Sequence, residues 1–197
     1  MRNKFYEIMW TIFRPIVLLF HPIDVKGLEN IPDEPILLCA NHSSNWDPVL
    51  MVAALSKCTK LRIMAKEQLF RIPVVKSFVS KMGAFPVNRG HSDIAAVKTS
   101  IQCLRSGFHL LVFPEGTRVK NPGKAPVKGG VAMIAIRSGV KMLPVFIGTT
   151  KKLFQHVPVI FGKPYTPVYT GRKGTAEEYQ SNADEIMRQA YELGGIS

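Results

Sequence analysis

Residues 41–48, NHSSNWDP, place a histidine and an aspartate five positions apart, as His42 and Asp47. Such a pair could act as a general base whose ring is oriented by the carboxylate. Residues five apart on an ideal helix face about 140° away from each other, so the two cannot pair along one helical face. Asp47 before Pro48 instead predicts a helix N-cap followed by proline at the first helical position, with His42 in the preceding loop. The aspartate could be a cap alone, or a cap whose second oxygen accepts a hydrogen bond from the imidazole.

Other catalytic chemistries find less support in the sequence. The remaining histidines, at positions 21, 91, 109 and 156, form no cluster with His42, so we expect no metal site. A serine nucleophile is typical of a G-x-S-x-G turn, which the sequence lacks, and the glycines form neither a phosphate-binding loop nor a dinucleotide fingerprint. Cys39 precedes His42 by three positions, and strand alternation places the two side chains on opposite faces.

Strand-like and helix-like segments alternate along most of the chain. Short apolar runs, several of them rich in β-branched residues, predict strands at 36–40, 61–65, 84–87, 109–113, 141–147 and 157–161. Helical patterns predict helices at 48–56, 70–81, 93–105, 131–137 and 176–193, the fourth of which is short enough to be a strand instead. The alternation indicates a single α/β domain over 23–197, with a largely parallel or mixed β-sheet flanked by helices.

Two of these helices carry sequence signals at their ends. Ser92 is predicted to cap the helix that stops before Gly107. Thr175 and Glu178 have the spacing of a capping box, and Gly194 and its neighbour are predicted to end the last helix.

Polar residues follow four of the predicted strands at the point where each strand ends. They are Asn41 and His42, Lys66 and Glu67, Asn88 and Arg89, and residues 114–118, PEGTR. In open α/β sheets, ligands bind beyond the carboxyl ends of the strands. If the four strands are parallel, a histidine, an aspartate, a glutamate and three cations converge at one edge of the sheet.

The composition suits one folded domain with anionic partners. The chain has 197 residues, the length of a single domain, and 46% hydrophobic residues exclude a largely disordered protein. A net charge of +12 favours nucleic acid, acidic lipid head groups or phosphorylated small molecules as partners. Cys39, Cys58 and Cys103 match no zinc or redox spacing and are expected to be reduced core residues in a cytosolic setting.

Residues 1–22 form a separate segment in which a narrow polar stripe crosses apolar residues at helical spacing. The stripe consists of Lys4, Glu7, Thr11 and Arg14, and Pro15 then interrupts the pattern. A charge within the apolar region and the lack of a small-residue cleavage site disfavour a signal peptide. In a membrane span, Glu7 and Arg14 would each cost about 2.5–3.5 kcal/mol at the centre. We therefore expect an amphipathic helix in the membrane interface, with a helix packed on the domain's own core and a true span as alternatives.

The motifs resemble those of the glycerolipid acyltransferases. His42 and Asp47 are similar to the family's HxxxxD motif, and residues 83–89, GAFPVNR, resemble its second block. Residues 113–118, FPEGTR, are identical to its third block, and residues 143–147, LPVFI, resemble its fourth, proline-containing block. HxxxxD alone arises often by chance, but here the blocks stand in family order over roughly half the chain. Two further pairs, Lys66-Glu67 and Lys128-Gly129, are similar to accessory family positions.

The resemblance implies transfer of a fatty acyl group from a thioester to a lipid hydroxyl. The acceptor it suggests is the free sn-2 hydroxyl of 1-acyl-glycerol-3-phosphate (lysophosphatidic acid), giving phosphatidic acid in phospholipid biosynthesis. His42 would act as general base and Asp47 would orient its ring. The residues implied for the acceptor's phosphate and glycerol are Lys66, Arg89, Glu115, Gly116, Thr117 and Arg118. The cations among them suit a phosphate, and Glu115 would either bond a glycerol hydroxyl or position Arg118.

The same resemblance implies a thioester co-substrate on coenzyme A or acyl carrier protein, and no cofactor. Expected partners are membrane phospholipids and lysophosphatidic acid, with no nucleic acid, at the cytoplasmic face of a membrane as a peripheral or monotopic protein. One alternative is another acceptor, such as glycerol-3-phosphate or a lysophospholipid with a larger head group. The other is a basic membrane- or nucleic-acid-binding module without chemistry, although no nucleic-acid motif stands out.

Overall fold

The computed structural model describes residues 4–55, 60–88, 93–123 and 125–196. Its strands are Ile23–Lys26 (β1), Leu37–Ala40 (β2), Leu61–Lys66 (β3), Ala84–Val87 (β4), His109–Val112 (β5), Met142–Ile147 (β6) and Val157–Phe161 (β7). Its α-helices are Lys4–Phe20 (α1), Asp47–Ala54 (α2), Pro73–Lys81 (α3), Ile94–Arg105 (α4), Gly130–Ser138 (α5) and Ala176–Leu193 (α6). Short 3-10 helices occupy Leu28–Asn30 and Glu67–Arg71.

The seven strands form one mixed sheet in the order β1-β7-β6-β2-β5-β3-β4. Strands β6, β2, β5, β3 and β4 are parallel, whereas β7 is antiparallel to β6 and parallel to β1. The predicted α/β domain with a mixed sheet flanked by helices is therefore confirmed. The carboxyl ends of the five parallel strands lie at one edge, which we call the site edge. Because β1 runs the opposite way, it begins at the site edge, and α1 ends there.

The core lies on both faces of the sheet, and the alternation of the central strand β2 separates the two sides. Leu38 and Ala40 pack with α2 on one face, whereas Leu37 and Cys39 pack with α4, α5 and α6 on the other. These β2 residues are completely buried. Apolar side chains on both faces thus hold the strand whose end carries His42.

Three details differ from the sequence prediction. Strand β1 was not expected, because its four residues, IDVK, include two charges and lie at the sheet edge, where Asp24 and Lys26 stay exposed. The helix predicted at 70–81 starts only at Pro73, since proline has no N–H and fits the first helical turn. Ser92 lies outside the described residues, and the cap of α4 is Asp93, whose Oδ1 accepts from the amide of Ala96 at 2.9 Å.

Other predicted helix ends are confirmed. The Thr175 hydroxyl accepts from the Glu178 amide at 3.3 Å, and the Glu178 carboxylate accepts from the Thr175 amide at 2.7 Å. Gly194 is the C-cap of the same helix. The segment predicted at 131–137 is helical, within α5.

Helix α1 continues through Pro15 to the site edge, so the interruption seen in the sequence pattern does not end the helix. Arg14 contacts α2, where its Nε donates to the carbonyl of Ala53 at 3.3 Å, and Val17 packs against the core. Within the described part of the chain, no helix combines the length and the apolar character that crossing a bilayer requires.

Candidate active site

His42 and Asp47 form a hydrogen-bonded pair at the site edge. His42 Nδ1 lies 2.9 Å from Asp47 Oδ2, as the folded-back loop between β2 and α2 allows. The aspartate is completely buried, and the histidine is only 5% exposed. Because Nδ1 is engaged by the carboxylate, Nε2 is the ring nitrogen that remains for a substrate.

The structure differs from the predicted cap at Asp47. Helix α2 begins at Asp47 itself, with Trp46 before it, and a helical residue directs its side chain back toward the helix N-terminus. Oδ2 consequently accepts from the amides of the preceding loop, Ser43 at 2.6 Å and Ser44 at 2.7 Å. These bonds fold the loop around the carboxylate and bring His42 within reach of it.

A lysine engages the second oxygen of Asp47. Lys151 Nζ lies 2.7 Å from Oδ1, in an ion pair whose side chains are 4% and 0% exposed. Burial opposes ionisation of Asp47, but the hydrogen bond with His42 and the charge of Lys151 outweigh it and lower the pKa of the carboxyl. The ionised carboxylate therefore stabilises the fold above its ordinary pKa, and this stabilisation is lost as the pH falls through the lowered pKa.

Sequence reasoning missed Lys151, although a signal was present. Lys151 follows β6, which lies beside β2 and ends at the same edge. Asn41 joins the two strand ends: its side chain accepts from the amide of Ile147 at 2.7 Å and donates to the carbonyl of Ile147 at 2.9 Å. The strand-end rule that singled out His42, applied also to β6, points to this loop.

The FPEGTR loop, residues 113–118, holds His42 from the other side. Glu115 Oε2 accepts from the His42 amide at 2.7 Å, and the His42 carbonyl accepts from the Val119 amide at 2.8 Å. The ring of Phe113 stacks on the imidazole with centroids 4.4 Å apart. The FPEGTR motif, which follows the neighbouring strand β5, thus fixes both the backbone and the ring of His42.

Glu115 faces the protein interior. It is 4% exposed, and its other oxygen accepts from the hydroxyl of Tyr191 in α6. Burial raises the pKa of Glu115, although the hydrogen bonds from Tyr191 and His42 work against that shift. The carboxylate thus braces the His42 backbone, and the contact with glycerol or with Arg118 that the sequence suggested stays a prediction.

The rest of the FPEGTR loop turns outward. Gly116 has a φ of 66°, a left-handed backbone conformation that other residues rarely adopt, so the turn favours glycine. Thr117 and Arg118 are exposed after this turn. The loop thus has a buried part, where Glu115 holds the His42 backbone, and an exposed part with the polar side chains of Thr117 and Arg118, which we call the exposed rim.

The remaining predicted site residues lie at neighbouring strand ends. Lys66 is the exposed last residue of β3, which pairs with β5 on one side and β4 on the other. Arg89 lies outside the described residues. Of the described residues on either side of it, Asp93 accepts at Oδ2 from the Asn88 amide at 2.8 Å.

Cys39 takes no part in the site. Its side chain is completely buried on the face of β2 that packs against α4–α6, and burial raises the pKa of its thiol. Of the described cysteines, Cys39 and Cys103 are both free thiols, as predicted, but Cys103 is only partly buried. Cys58 lies outside the described residues.

The sequence is similar to those of known acyltransferases. A family model described as Acyltransferase matches residues 22–148. A 1-acyl-sn-glycerol-3-phosphate acyltransferase of Streptococcus pneumoniae is 37% identical over 161 residues, which cover 76% of this chain and 59% of that protein. A Bacillus subtilis protein of the same name is 28% identical over 164 residues, which cover 81% of each chain. This chain spans about half the length of several relatives, between 43% and 59% of four of them.

The fold is similar to a solved structure as well. The crystal structure of the 1-acyl-sn-glycerophosphate acyltransferase PlsC from Thermotoga maritima matches with a TM-score of 0.70 and 28% sequence identity. The match covers 100% of this chain and 85% of that one. The similarity therefore extends beyond the motifs to the whole arrangement of strands and helices.

Proposed function

Because the chain belongs to the acyltransferase family, we propose that it transfers a fatty acyl group from a thioester to the sn-2 hydroxyl of lysophosphatidic acid, giving phosphatidic acid. The observation that supports this best is the buried His42–Asp47 pair, held against the FPEGTR loop at the site edge. The similar proteins of Streptococcus pneumoniae and Bacillus subtilis carry names that state this reaction.

The mechanism needs a base, an orienting carboxylate and a thioester. Neutral His42 accepts the proton of the acceptor hydroxyl at Nε2 while the hydroxyl oxygen attacks the thioester carbonyl, which contributes about 10²–10⁴ in rate. Asp47 keeps the N–H on Nδ1 and stabilises the imidazolium that forms. The tetrahedral intermediate then releases the thiolate, which takes the proton from the imidazolium. Because a thiolate leaves readily, the reaction requires no acyl-enzyme.

We assign the acceptor phosphate to the exposed rim beside this pair. Arg118 and Thr117 follow the glycine turn, and Lys66 lies at the end of the adjacent strand β3, so all three can approach a phosphate from solvent. Arg89 follows β4 in the sequence and completes the set of cations. Glu115 acts on His42 in this assignment, because both of its oxygens already accept hydrogen bonds within the protein.

Replacing Arg118 by lysine should raise the KM for lysophosphatidic acid about 10-fold with little change in kcat. Lysine cannot form the bidentate contact of a guanidinium, and one charge-assisted hydrogen bond contributes about 1.5 kcal/mol. Steady-state kinetics with varied acceptor measure the change, and Arg172→Lys is the matched control at an exposed arginine far along the chain. An unchanged KM would assign Arg118 a structural role.

We further propose that α1 lies in the membrane interface. Its described C-terminal half exposes five apolar side chains, each at least 41% accessible: Ile12, Phe13, Ile16, Leu19 and Phe20. Arg14 and Val17 point to the domain, whereas these five apolar side chains point outward. An outward apolar face of this kind is typical of helices that enter the acyl boundary of a bilayer.

The apolar surface continues from α1 to the mouth of the site. The ring of Phe154, in the loop after β6, lies 5.7 Å from the ring of Phe20, and Phe154 is 64% exposed. Trp46, beside Asp47, is 42% exposed, and its ring lies 4.6 Å from the ring of His21 in a tilted arrangement. In this proposal the catalytic pair lies next to the bilayer, where long-chain substrates react without being transferred into water. The net charge of +12 adds attraction to anionic lipids of the cytoplasmic face.

Replacing Leu19 by aspartate should weaken binding to phosphatidylglycerol vesicles at least about 10-fold, because burying one leucine side chain contributes about 1.5–3 kcal/mol. Co-sedimentation with vesicles measures this binding without any need for catalysis. Val168→Asp is the matched control, since Val168 is 74% exposed and follows β7 at the opposite edge of the sheet. Equal sedimentation of the Leu19 variant and the wild type would show that another surface binds the membrane.

The proposed reaction is tested by offering the purified protein a panel of acceptors. Lysophosphatidic acid, glycerol-3-phosphate and lysophosphatidylcholine would each be incubated with acyl-coenzyme A and with acyl-acyl carrier protein, and the products identified by mass spectrometry. We expect phosphatidic acid as the main product. A preference for glycerol-3-phosphate or for lysophosphatidylcholine would show that the acceptor differs from the proposed one, although the reaction is still acyl transfer. If no acceptor gives an acylated product, the proposal that the protein is an acyltransferase is wrong.

A further inference from the structure

Lys151 is a buried cation beside the catalytic pair. Its side chain is only 4% exposed, and its ammonium group contacts Asp47 Oδ1 at 2.7 Å. The same nitrogen donates to the hydroxyl of Ser43 at 2.6 Å and to the carbonyl of Gly148 at 2.6 Å. The ammonium therefore forms one ion pair and two hydrogen bonds, all of them within the protein.

The contacts of Lys151 constrain the carboxylate from the side opposite His42. One Asp47 oxygen contacts the imidazole and two amides, and the other contacts Lys151. Rotation of the carboxylate about its Cβ–Cγ bond would break contacts at both oxygens. Since a buried charge without a partner is costly, the ion pair holds both groups in one arrangement.

The position of Lys151 is itself fixed by the sheet. It lies four residues after the end of β6, and the bonds between Asn41 and Ile147 keep that end against the end of β2. The lysine therefore ties the loop after β6 to the loop that contains the HxxxxD motif.

We propose that Lys151 is a positioning residue for acyl transfer, which holds Asp47 in the orientation that aligns the ring of His42. The proposal rests on the proposed function, because it assigns the lysine a part in that reaction. A direct role in binding the acceptor phosphate is disfavoured, since the ammonium is nearly inaccessible and its donors are already engaged.

Lys151 also changes the electrostatic interaction between Asp47 and His42. Asp47 contacts the ring of His42, Lys151 contacts Asp47 from the other side, and Glu115 accepts from the His42 backbone amide. The positive charge of Lys151 offsets part of the attraction that Asp47 exerts on an imidazolium. Removing the cation therefore strengthens the attraction between Asp47 and the imidazolium that forms during the reaction.

Replacing Lys151 by methionine should lower kcat about 10–100-fold, the usual cost of losing a partner that orients a catalytic group. The KM for lysophosphatidic acid should stay within about 2-fold of the wild-type value, since a positioning residue makes no contact with the acceptor. The acidic limb of the kcat/KM–pH profile should move to higher pH.

Lys151→Arg restores a cation and should recover part of kcat, with an acidic limb near that of the wild type. Lys163→Met is the matched control at an exposed lysine beyond the end of β7, at the opposite edge of the sheet.

The outcomes separate this proposal from the proposed function. Inactive wild-type protein contradicts the proposed function, whereas an active wild type with an equally active Lys151→Met variant contradicts only the role of Lys151. A raised KM with unchanged kcat would make Lys151 a substrate ligand, and a lower kcat with an unshifted acidic limb would make it a purely structural residue.

Circular dichroism and thermal melting check the fold. If the methionine variant does not fold, Lys151→Gln takes its place, since its amide still donates to Asp47 but carries no charge.

Discussion

Replacing His42 by alanine should lower kcat for acyl transfer by about 10²–10⁴, the range contributed by a general base in its reaction. The substitution removes the group proposed to accept the proton of the acceptor hydroxyl. It also removes a ring that stacks on Phe113 at 4.4 Å, so some loss of thermal stability accompanies the loss of rate. The backbone contacts of His42 with Glu115 and Val119 do not depend on the side chain, and the loop should keep its path.

The measurement is the steady-state rate of phosphatidic acid formation, with circular dichroism as the check on folding. The chain offers a matched control in His156, an exposed histidine whose Nδ1 lies 2.7 Å from Asp24. His156→Ala breaks a surface histidine–aspartate pair of the same kind and should leave the rate unchanged. Wild-type turnover in the His42 variant would remove His42 from the mechanism.

Replacing Asp47 by asparagine should lower kcat about 10⁴-fold and the free energy of unfolding by about 3–5 kcal/mol. Every neighbour of this carboxylate is a donor: the amides of Ser43 and Ser44, the ammonium of Lys151 and the Nδ1–H of His42. Whichever way an amide is placed there, its NH₂ group faces a donor, and Lys151 is left as a buried charge without a counterion. The imidazole also loses the partner that selects its tautomer.

Kinetics and urea unfolding measure the two effects of the Asp47 substitution separately. The difference in stability from the wild type should shrink in acid, because the lowered pKa of Asp47 means that its stabilising charge is lost as the pH falls through that value. Asp24→Asn is the matched control, since Asp24 pairs with His156 at the surface. A stable Asp47→Asn variant with a wild-type rate would show that the buried pair contributes neither to the fold nor to catalysis.

The edge at which the site forms could be predicted from the sequence, because it follows from strand direction. Consecutive residues of the run before His42 are apolar, as expected for a strand that is buried on both faces of the sheet. The sequences of β3, β4 and β5 are also largely apolar. Once those strands are parallel, the residues after them must meet at one edge. His42, Lys66 and the FPEGTR loop were placed together on that ground, and the structure brings them to neighbouring strand ends.

Contacts that arise from tertiary packing could not be predicted in the same way. Nothing in the spacing of Glu115 and Tyr191, 76 positions apart, indicates that helix α6 supplies a hydroxyl to the FPEGTR loop. The ion pair of Lys151 with Asp47 depends on the order of β6 and β2 in the sheet, which periodicity alone does not specify. Both contacts act on groups that the sequence did identify, so they refine the roles of those groups.

The position of helix α1 relative to the sheet could not be predicted from the sequence either. Strand β1 is short and pairs with β7, itself antiparallel to its neighbour, so α1 ends at the site edge. In the described half of the helix, Arg14 contacts α2 and five apolar side chains face outward. Packing of a few residues on the domain thus decided which side of the helix is exposed.

The most direct test of the account follows the fate of a labelled acyl group. Wild-type protein would be mixed with a thioester carrying a radioactive acyl chain and with unlabelled lysophosphatidic acid, and the product digested with phospholipase A2, which releases the sn-2 chain. We expect label in phosphatidic acid, released as free fatty acid by the digestion, with no label retained on the denatured protein. Label bound covalently to the protein would contradict direct attack assisted by His42, and label absent from every lipid would contradict acyl transfer altogether.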